Sequence, residues 1–489
     1  MRLNYLANAI GLIMIYIGIV ILAPILIALI THDTYSIMPF LTAGIISTTI
    51  GLCLRKFFPN ASSVENLNDI KKTEALFVVA ISWIIFGLIS GIPYLFYGIT
   101  PVDAMFEATS GITTTGATIF TTFDYPKALF FWRSLTQWLG GLGIIVLFIA
   151  VLPQFAVAGR QMFFAEAPGP TEDKITPRIR NTASTLWGIY LIFTIIQTVL
   201  LMLAGMPLFD AICNSFSTLA AGGFSPKANS TFDYHSNLIT WIMTIFMFIA
   251  GSNFILWIRA FNQKKPSLFI KNEEFRLYLN LTVIFSLFIA ASLIYSSGYS
   301  PFEALTHAFY QVASISTSTG SASVDFIKWD YTSQIILFIV MFMGACSSSA
   351  GGGIKLTRWL IVFKTMKSEL IRILHPNAVF NVKIDNTIVP KEVIRQIIVF
   401  VFYYFAIFII GAILISIIEQ NIIVGLSTSI TTLGNIGPGF ALAVGPMGNF
   451  DSLHIITKII CIIYMLVGRL EIIPFLVMFQ RDFWSIKES

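Results

Sequence analysis

Four short polar stretches, each carrying glycine near its end, interrupt a chain otherwise built of long apolar runs. They are Ile112-Thr113-Thr114-Thr115-Gly116-Ala117-Thr118, Leu219-Ala220-Ala221-Gly222-Gly223-Phe224-Ser225, Ser316-Thr317-Ser318-Thr319-Gly320-Ser321-Ala322 and Leu433-Gly434-Asn435-Ile436-Gly437-Pro438-Gly439. They recur roughly a hundred residues apart, each between two membrane-length runs, which marks an internal repeat. Non-helical backbone is tolerated at membrane depth only where protein buries it or it lines a watery cavity. Four such loops can surround one axis, so they predict a central pore in which carbonyl groups replace an ion's hydration shell.

The composition supports the membrane setting. Of 489 residues, 56% are hydrophobic and only 11% charged, too apolar for a soluble domain of this length. The net charge of +5 sits in short loops between apolar runs, as the positive-inside bias produces, so it points to membrane lipid rather than nucleic acid as the surroundings. Cys53, Cys213, Cys346 and Cys461 are far apart, as are the five histidines, which excludes a clustered metal site or a disulfide framework. No nucleophile or metal cluster of an enzyme stands out either.

Spans of about 20 apolar residues divide the chain into five units. Residues 1–74 hold two helices, about 7–31 and 36–54, and a basic linker; the first run reads as a retained helix. Residues 75–180 form repeat 1, with helices at 75–98 and 127–155. Residues 181–272 form repeat 2, with helices at 183–205 and 237–261. Residues 273–391 form repeat 3, with helices at 275–296 and 332–364, and residues 392–489 form repeat 4, with helices at 393–418 and 453–479. Each repeat has a half-length helix before its loop, opened by Asp103, Asp210 and Glu303 in repeats 1 to 3 and by no acid in repeat 4 (Val424 to Thr432). Counted from these acids, Gly116 and Gly223 align, whereas Gly320 comes one helical turn late. The expected fold is an all-α membrane protein: two N-terminal helices plus four pseudo-symmetric repeats of helix, pore helix and helix around one pore. Most Lys and Arg residues fall on one side, predicted to be cytoplasmic and to hold both termini. Asp103, Glu107, Asp210, Glu303 and other acids gather on the opposite side, an acidic mouth that attracts cations.

A Thr run taken alone serves equally well as helix-packing glue. The fourfold recurrence favours a filter, since inward-pointing carbonyls need backbone conformations that glycine adopts at low cost. The third repeat is also broken by Gly344-Ala345-Cys346-Ser347-Ser348-Ser349-Ala350-Gly351-Gly352-Gly353-Ile354-Lys355, which cannot be a helix interior and implies an irregular segment within protein or cavity. Arg469 and Glu471 lie within an apolar helix, where an ionisable residue is either functional or held in an ion pair with a neighbouring helix. Arg133 stands nearer a helix end, where it is expected to snorkel or pair.

Four motifs carry a resemblance: Trp132-Arg133-Ser134-Leu135-Thr136-Gln137-Trp138-Leu139-Gly140-Gly141-Leu142-Gly143, Ser348-Ser349-Ala350-Gly351-Gly352-Gly353-Ile354-Lys355, Gly437-Pro438-Gly439 and Gly468-Arg469-Leu470-Glu471. Over essentially its whole length the chain resembles the TrkH family of bacterial Trk potassium uptake systems. The resemblance implies potassium uptake across the bacterial inner membrane by a homodimer with one pore per subunit. It places the filter, and the transported potassium, at Thr114, Thr115 and Gly116; Ala221, Gly222 and Gly223; Ser318, Thr319 and Gly320; and Asn435, Ile436 and Gly437. It makes the stretch with Gly344, Ser347, Ser348, Ser349, Gly351, Gly352, Gly353 and Lys355 an intramembrane gate, flanked by Arg469 and Glu471. It also implies a cytosolic regulatory ring of TrkA type. This chain has no strand followed by GxGxxG, so nucleotide is expected to act through that partner and not to bind here. The alternative mechanism is a symporter that couples potassium to protons or sodium, which requires a titratable group in the pathway.

Overall fold

Long runs of Leu, Ile, Val and Phe without polar interruption leave the backbone one way to satisfy its hydrogen bonds in lipid, the α-helix. A computed structural model describes residues 3–58, 72–143, 179–375, 381–478 and 480 and is helical almost throughout. Among these residues six helices are long and apolar enough to cross a membrane: Leu6–Ile30, Ile37–Phe57, Leu76–Leu95, Ala183–Leu203, Glu273–Ser297 and Lys391–Glu419. Their outward positions, such as Leu203, Phe288, Phe402 and Ile410, are exposed apolar side chains, as a lipid-facing surface requires.

Helices Leu3–Val20 and Ala23–Ile30 make up the first span, and a short loop at Asp33 connects it to its N-terminal partner Ile37–Phe57. Gly11 faces Gly51 and Gly18 faces Gly44 at backbone distance, and Ser47 Oγ donates to the Met14 carbonyl (2.7 Å). Small residues let the two helices approach and hydrogen-bond in the absence of a hydrophobic force between them.

The rest is the four-fold pseudo-repeat. Each unit has a long first helix and then a short re-entrant helix: Pro101–Ile112, Leu208–Leu219, Pro301–Ser316 and Ile422–Leu433. The third has 16 residues where the others have 12, which is the extra turn that delays Gly320. Thr100 and Ser300 cap the first and third by accepting from the N–H of Asp103 and Glu303, and Asn421 caps the acid-free fourth by accepting from Ile423 and Val424.

The second helices depart from expectation in two places, and a third breaks where the Gly/Ser stretch predicts. The helix expected at 237–261 is two helices, Asn237–Gly251 and Phe254–Gln263, bent by 93°. The break falls at Ser252-Asn253, where Asn253 Oδ1 accepts from the N–H groups of Ile255 (2.9 Å) and Leu256 (3.3 Å) and so starts a new helix. The helix expected at 332–364 is Tyr331–Met341 and Leu356–Leu374, with the Gly/Ser stretch between them. The helix expected at 453–479 stops at Arg469, because Glu471 (φ 56°) and Ile472 (φ 57°) turn left-handed before Ile473–Val477 resumes. In repeat 1 the second helix is Lys127–Gly141, ended at Leu142; residues 144–155 of the expected 127–155 span lie outside the described residues.

The Asn253 cap generates a stability prediction. Replacing Asn253 with Ala removes both accepted hydrogen bonds and is expected to cost about 1 kcal/mol. Thermal unfolding of the detergent-solubilised protein should show a lowered midpoint, and an unchanged midpoint would mean that packing alone holds the bend.

Candidate functional site

The four loops share one backbone design. Each short helix ends in a Schellman motif: a residue in the left-handed region donates to the carbonyl three before it, and the next residue donates to the carbonyl five before itself. The pairs are Thr114 to Gly111 and Thr115 to Ser110, Ala221 to Thr218 and Gly222 to Ser217, Ser318 to Ile315 and Thr319 to Ser314, and Asn435 to Thr432 and Ile436 to Thr431. Thr114, Ala221, Ser318 and Asn435 have φ between 52° and 59°, a conformation costly for residues with a Cβ. Two residues later Gly116, Gly223, Gly320 and Gly437 are again left-handed, with φ of 81°, 73°, 73° and 98°. The sequence predicted positive φ for the glycines; the four non-glycine residues are an addition that only the fold reveals.

These glycines also close a ring. A Cβ built on Gly116 would lie 2.1 Å from the Gly222 carbonyl oxygen, one on Gly223 2.0 Å from that of Thr319, one on Gly320 1.8 Å from that of Ile436, and one on Gly437 2.7 Å from that of Thr115. Each loop thus abuts the next in the order 1, 2, 3, 4 and back to 1. All twelve residues expected at the filter lie in this ring, and those that precede the glycines are buried. Side chains brace it from behind. Gln137 donates to the Gly222 carbonyl (2.5 Å) and accepts from Phe224 N–H (3.0 Å), while Asn435 donates to Thr115 Oγ1 (3.0 Å) and to the Met465 carbonyl (2.9 Å). Ser321, which follows Gly320, bonds to Tyr310 (2.5 Å), Ser230 (3.0 Å) and Thr231 (3.1 Å).

Beneath the ring lies the Gly344–Lys355 stretch. Gly352 N–H donates to Ser318 Oγ (2.6 Å), and a Cβ on Gly351 would meet the Thr317 carbonyl oxygen at 2.5 Å, so the loop touches the end of the third short helix and its turn. The bend in repeat 2 holds it: Cys346 N–H donates to Gly251 O (2.9 Å), Ala350 N–H to Ala250 O (3.2 Å), and Ser348 O accepts from Phe254 N–H (3.2 Å). Glu274 Oε1 accepts from Ser347 N–H (2.6 Å), Thr357 N–H (3.2 Å) and the Thr357 hydroxyl. Lys355 Nζ donates back to the Gly351 carbonyl within the loop, and Ser349 Oγ donates to the Cys346 carbonyl (2.5 Å). The stretch is a pinned irregular segment rather than a loose strand.

Arg469 reaches this loop from the fourth repeat. It donates to the Ala350 carbonyl (3.0 Å) and across to the carbonyls of Gly141 (2.9 Å) and Gly140 at the end of Lys127–Gly141. Glu471 stands in the helix break and pairs with Arg358, whose guanidinium also lies 3.9 Å from the Phe400 ring centroid. Charge on the opposite side is also less free than expected. Glu107 is fully buried and paired to Arg133, Asp210 is buried and bonded to Tyr234 (3.1 Å), and Asp103 pairs with Lys458 (2.6 Å). Arg133 pairs and does not snorkel, since its side chain is only 2% exposed. The acidic mouth is accordingly corrected at these three members.

Sequence reasoning missed Gln137, Glu274, Arg358 and Lys458. The first lay within a quoted motif and was a polar side chain in an apolar run, which was signal enough. Glu274 reads as an ordinary first-turn acid, and the two cations as positive-inside or interfacial charge.

The profile of the TrkH family, described as cation transport protein, matches residues 45–486. The chain is 35% identical over 493 aligned residues to the Trk system potassium uptake protein TrkH of Salmonella typhimurium and 34% identical to that of Escherichia coli, covering 99% of this chain and 100% of each relative. The crystal structure of the potassium transporter TrkH from Vibrio parahaemolyticus superposes with a TM-score of 0.88 at 32% identity, covering 99% of this chain and 100% of that one. The repeat architecture, the motifs and these full-length likenesses together place the chain in the TrkH family of cation transport proteins.

Proposed function

We propose that this chain carries potassium ions across a bacterial inner membrane through the axis of the four-loop ring, with both termini in the cytoplasm. The observation that carries the reading is the closed ring of left-handed glycines, each set against the next loop's carbonyl. The relatives named as potassium uptake proteins support potassium as the cargo. Thr114, Thr115 and Gly116, Ala221, Gly222 and Gly223, Ser318, Thr319 and Gly320, and Asn435, Ile436 and Gly437 form the filter. Their carbonyls exchange for the ion's water, and the four short helices direct the negative ends of their dipoles toward it. The work is done by position and dipole, not by a covalent step, so the protein is a transporter.

The Gly344–Lys355 stretch acts as the gate, lying under the filter and held at both necks: Gly344 N–H donates to Ile354 O (2.9 Å) and Leu356 N–H to Ala345 O (3.1 Å). Arg469 clamps it and opposes a passing cation; two unit charges 4 Å apart interact by about 4 kcal/mol at an effective dielectric near 20. Arg358 and Glu471 hold the last helix break against the helix that follows the gate. The chain works as a homodimer with one pore per subunit, and a cytosolic nucleotide-binding ring of TrkA type moves the gate. Rescue of a potassium-uptake-deficient strain at low potassium tests the function; no growth with the protein present at normal abundance would overturn it.

Three outcomes are expected. Replacing each filter glycine with Ser should lower apparent potassium affinity and let sodium compete. The effect should be strongest at Gly320, Gly223 and Gly116, whose Cβ positions lie 1.8 to 2.1 Å from a carbonyl oxygen, and mildest at Gly437 with 2.7 Å. Competition assays that find wild-type affinity and selectivity in all four variants at normal abundance would sink the filter assignment. Deleting Gly351 to Gly353 should raise uptake in cells lacking the cytosolic partner; unchanged or lower flux from folded protein would count against a gate. Arg469→Ala should also raise uptake, by freeing the Ala350 end of the loop and removing the opposing charge, and reduced protein yield without a flux gain would instead make Arg469 a folding strut.

A further inference from the structure

The filter reading leaves one buried charge pair without a task. Arg133 and Glu107 are 2% and 0% exposed and meet at 2.7 Å, behind the first and second loops. An ion pair taken out of water gains little stability over well-packed apolar residues, so its retention points to what it orients.

Its contacts fall on the two strands that leave the filter. Glu107 accepts from Ile119 N–H (2.9 Å) and from the Thr118 hydroxyl (3.1 Å and 3.2 Å), just beyond Gly116. Arg133 donates Nε to Glu107 (2.8 Å), one Nη to Thr118 Oγ1 (3.1 Å), and the other to the Ser225 carbonyl (3.4 Å), two residues beyond Gly223. The guanidinium carbon sits 4.1 Å from the ring centroid of Phe224, the residue after Gly223, and 4.5 Å from that of Phe120. A planar fork can hold two strands at fixed separation in a way that a point charge cannot. Arg133 also lines the cavity directly above the ring, together with Gly116, Gly223, Gly320 and Gly437.

The pair belongs to one repeat only. Nine residues before the filter glycine, where repeat 1 has Glu107, the other repeats have Asn214, Gln311 and Thr428, none of which carries charge. We infer that Glu107 and Arg133 are positioning residues that set the spacing between the first and second filter strands, and so contribute to ion selectivity at the entrance of the ring. This rests on the filter reading above. The fork holds Thr118 and Ser225; without it the gap between Gly116 and Gly222 relaxes, and a smaller, more strongly hydrated cation is discriminated less well.

The test is potassium uptake with competing sodium in cells lacking their own uptake systems, using Glu107→Gln and Arg133→Lys. Arg133→Lys keeps the charge that Glu107 needs but loses the fork to Thr118 and Ser225. Each variant should raise the apparent KM for potassium about tenfold, the loss expected of one charge-assisted hydrogen bond, and admit sodium competition, with a smaller change in maximal rate per transporter. Wild-type KM and selectivity in Arg133→Lys, whatever its thermal stability, would overturn the proposal and leave the pair a strut for folding. Should Glu107→Gln fail to accumulate, Arg133→Lys decides alone. Gly320→Ser in the same assay separates the two readings: if it loses selectivity while the pair variants keep it, only this inference falls, and if none of them changes, the filter assignment falls as well.

Discussion

Every carbonyl and N–H that is not in a helix must find a partner at membrane depth, and the rest of this structure follows from how four loops meet that requirement. The Schellman turns consume the last carbonyls of each short helix, so the helix can stop inside the membrane without leaving orphaned groups. Left-handed residues at two alternating positions turn the strand after each helix, and the cost of placing Thr114, Ala221, Ser318 and Asn435 there is offset by burial on every side.

The same requirement explains the irregular segment next to the ring. A run with glycine at four of twelve positions, Gly344 and Gly351 to Gly353, with only Ala, Cys and Ser between, has little helix propensity. Its N–H and carbonyl groups are met instead by the Gly251 bend, by Glu274 and by Arg469, which come from repeats 2, 3 and 4. Three repeats therefore converge on one irregular segment. Its stability depends on groups that each belong to a separate helix.

Divergence among the repeats shows up as chemistry rather than as shape. The backbone of the four turns is nearly superimposable in its hydrogen bonding, yet each is braced differently: by Glu107 with Arg133, by Gln137, by Ser321 with Tyr310, and by Asn435. Four unlike surroundings hold one ring geometry.

The apolar runs, the half-length segments and the recurring glycines were legible in the chain, because the span of a bilayer, the period of a helix and the need for positive φ act on residues that are neighbours in sequence. For the same reason the late Gly320 could be read as one extra turn before the structure placed 16 residues in that helix. What only the tertiary structure decided were partners distant in sequence. Arg469 could be marked as an intramembrane charge, but not that it bridges residues 350 and 141; Glu471 could be marked, but not that it meets Arg358; and Glu107, read as an acid facing water, is sealed against Arg133. The breaks at Asn253 and Leu470 were not read either: Gly251-Ser252-Asn253 and Pro474 only permit a break, and the bend itself is selected by what must fit against it. Local sequence sets which conformations are inexpensive, whereas the pairing of buried charges and bent helices depends on packing that brings together segments hundreds of residues apart.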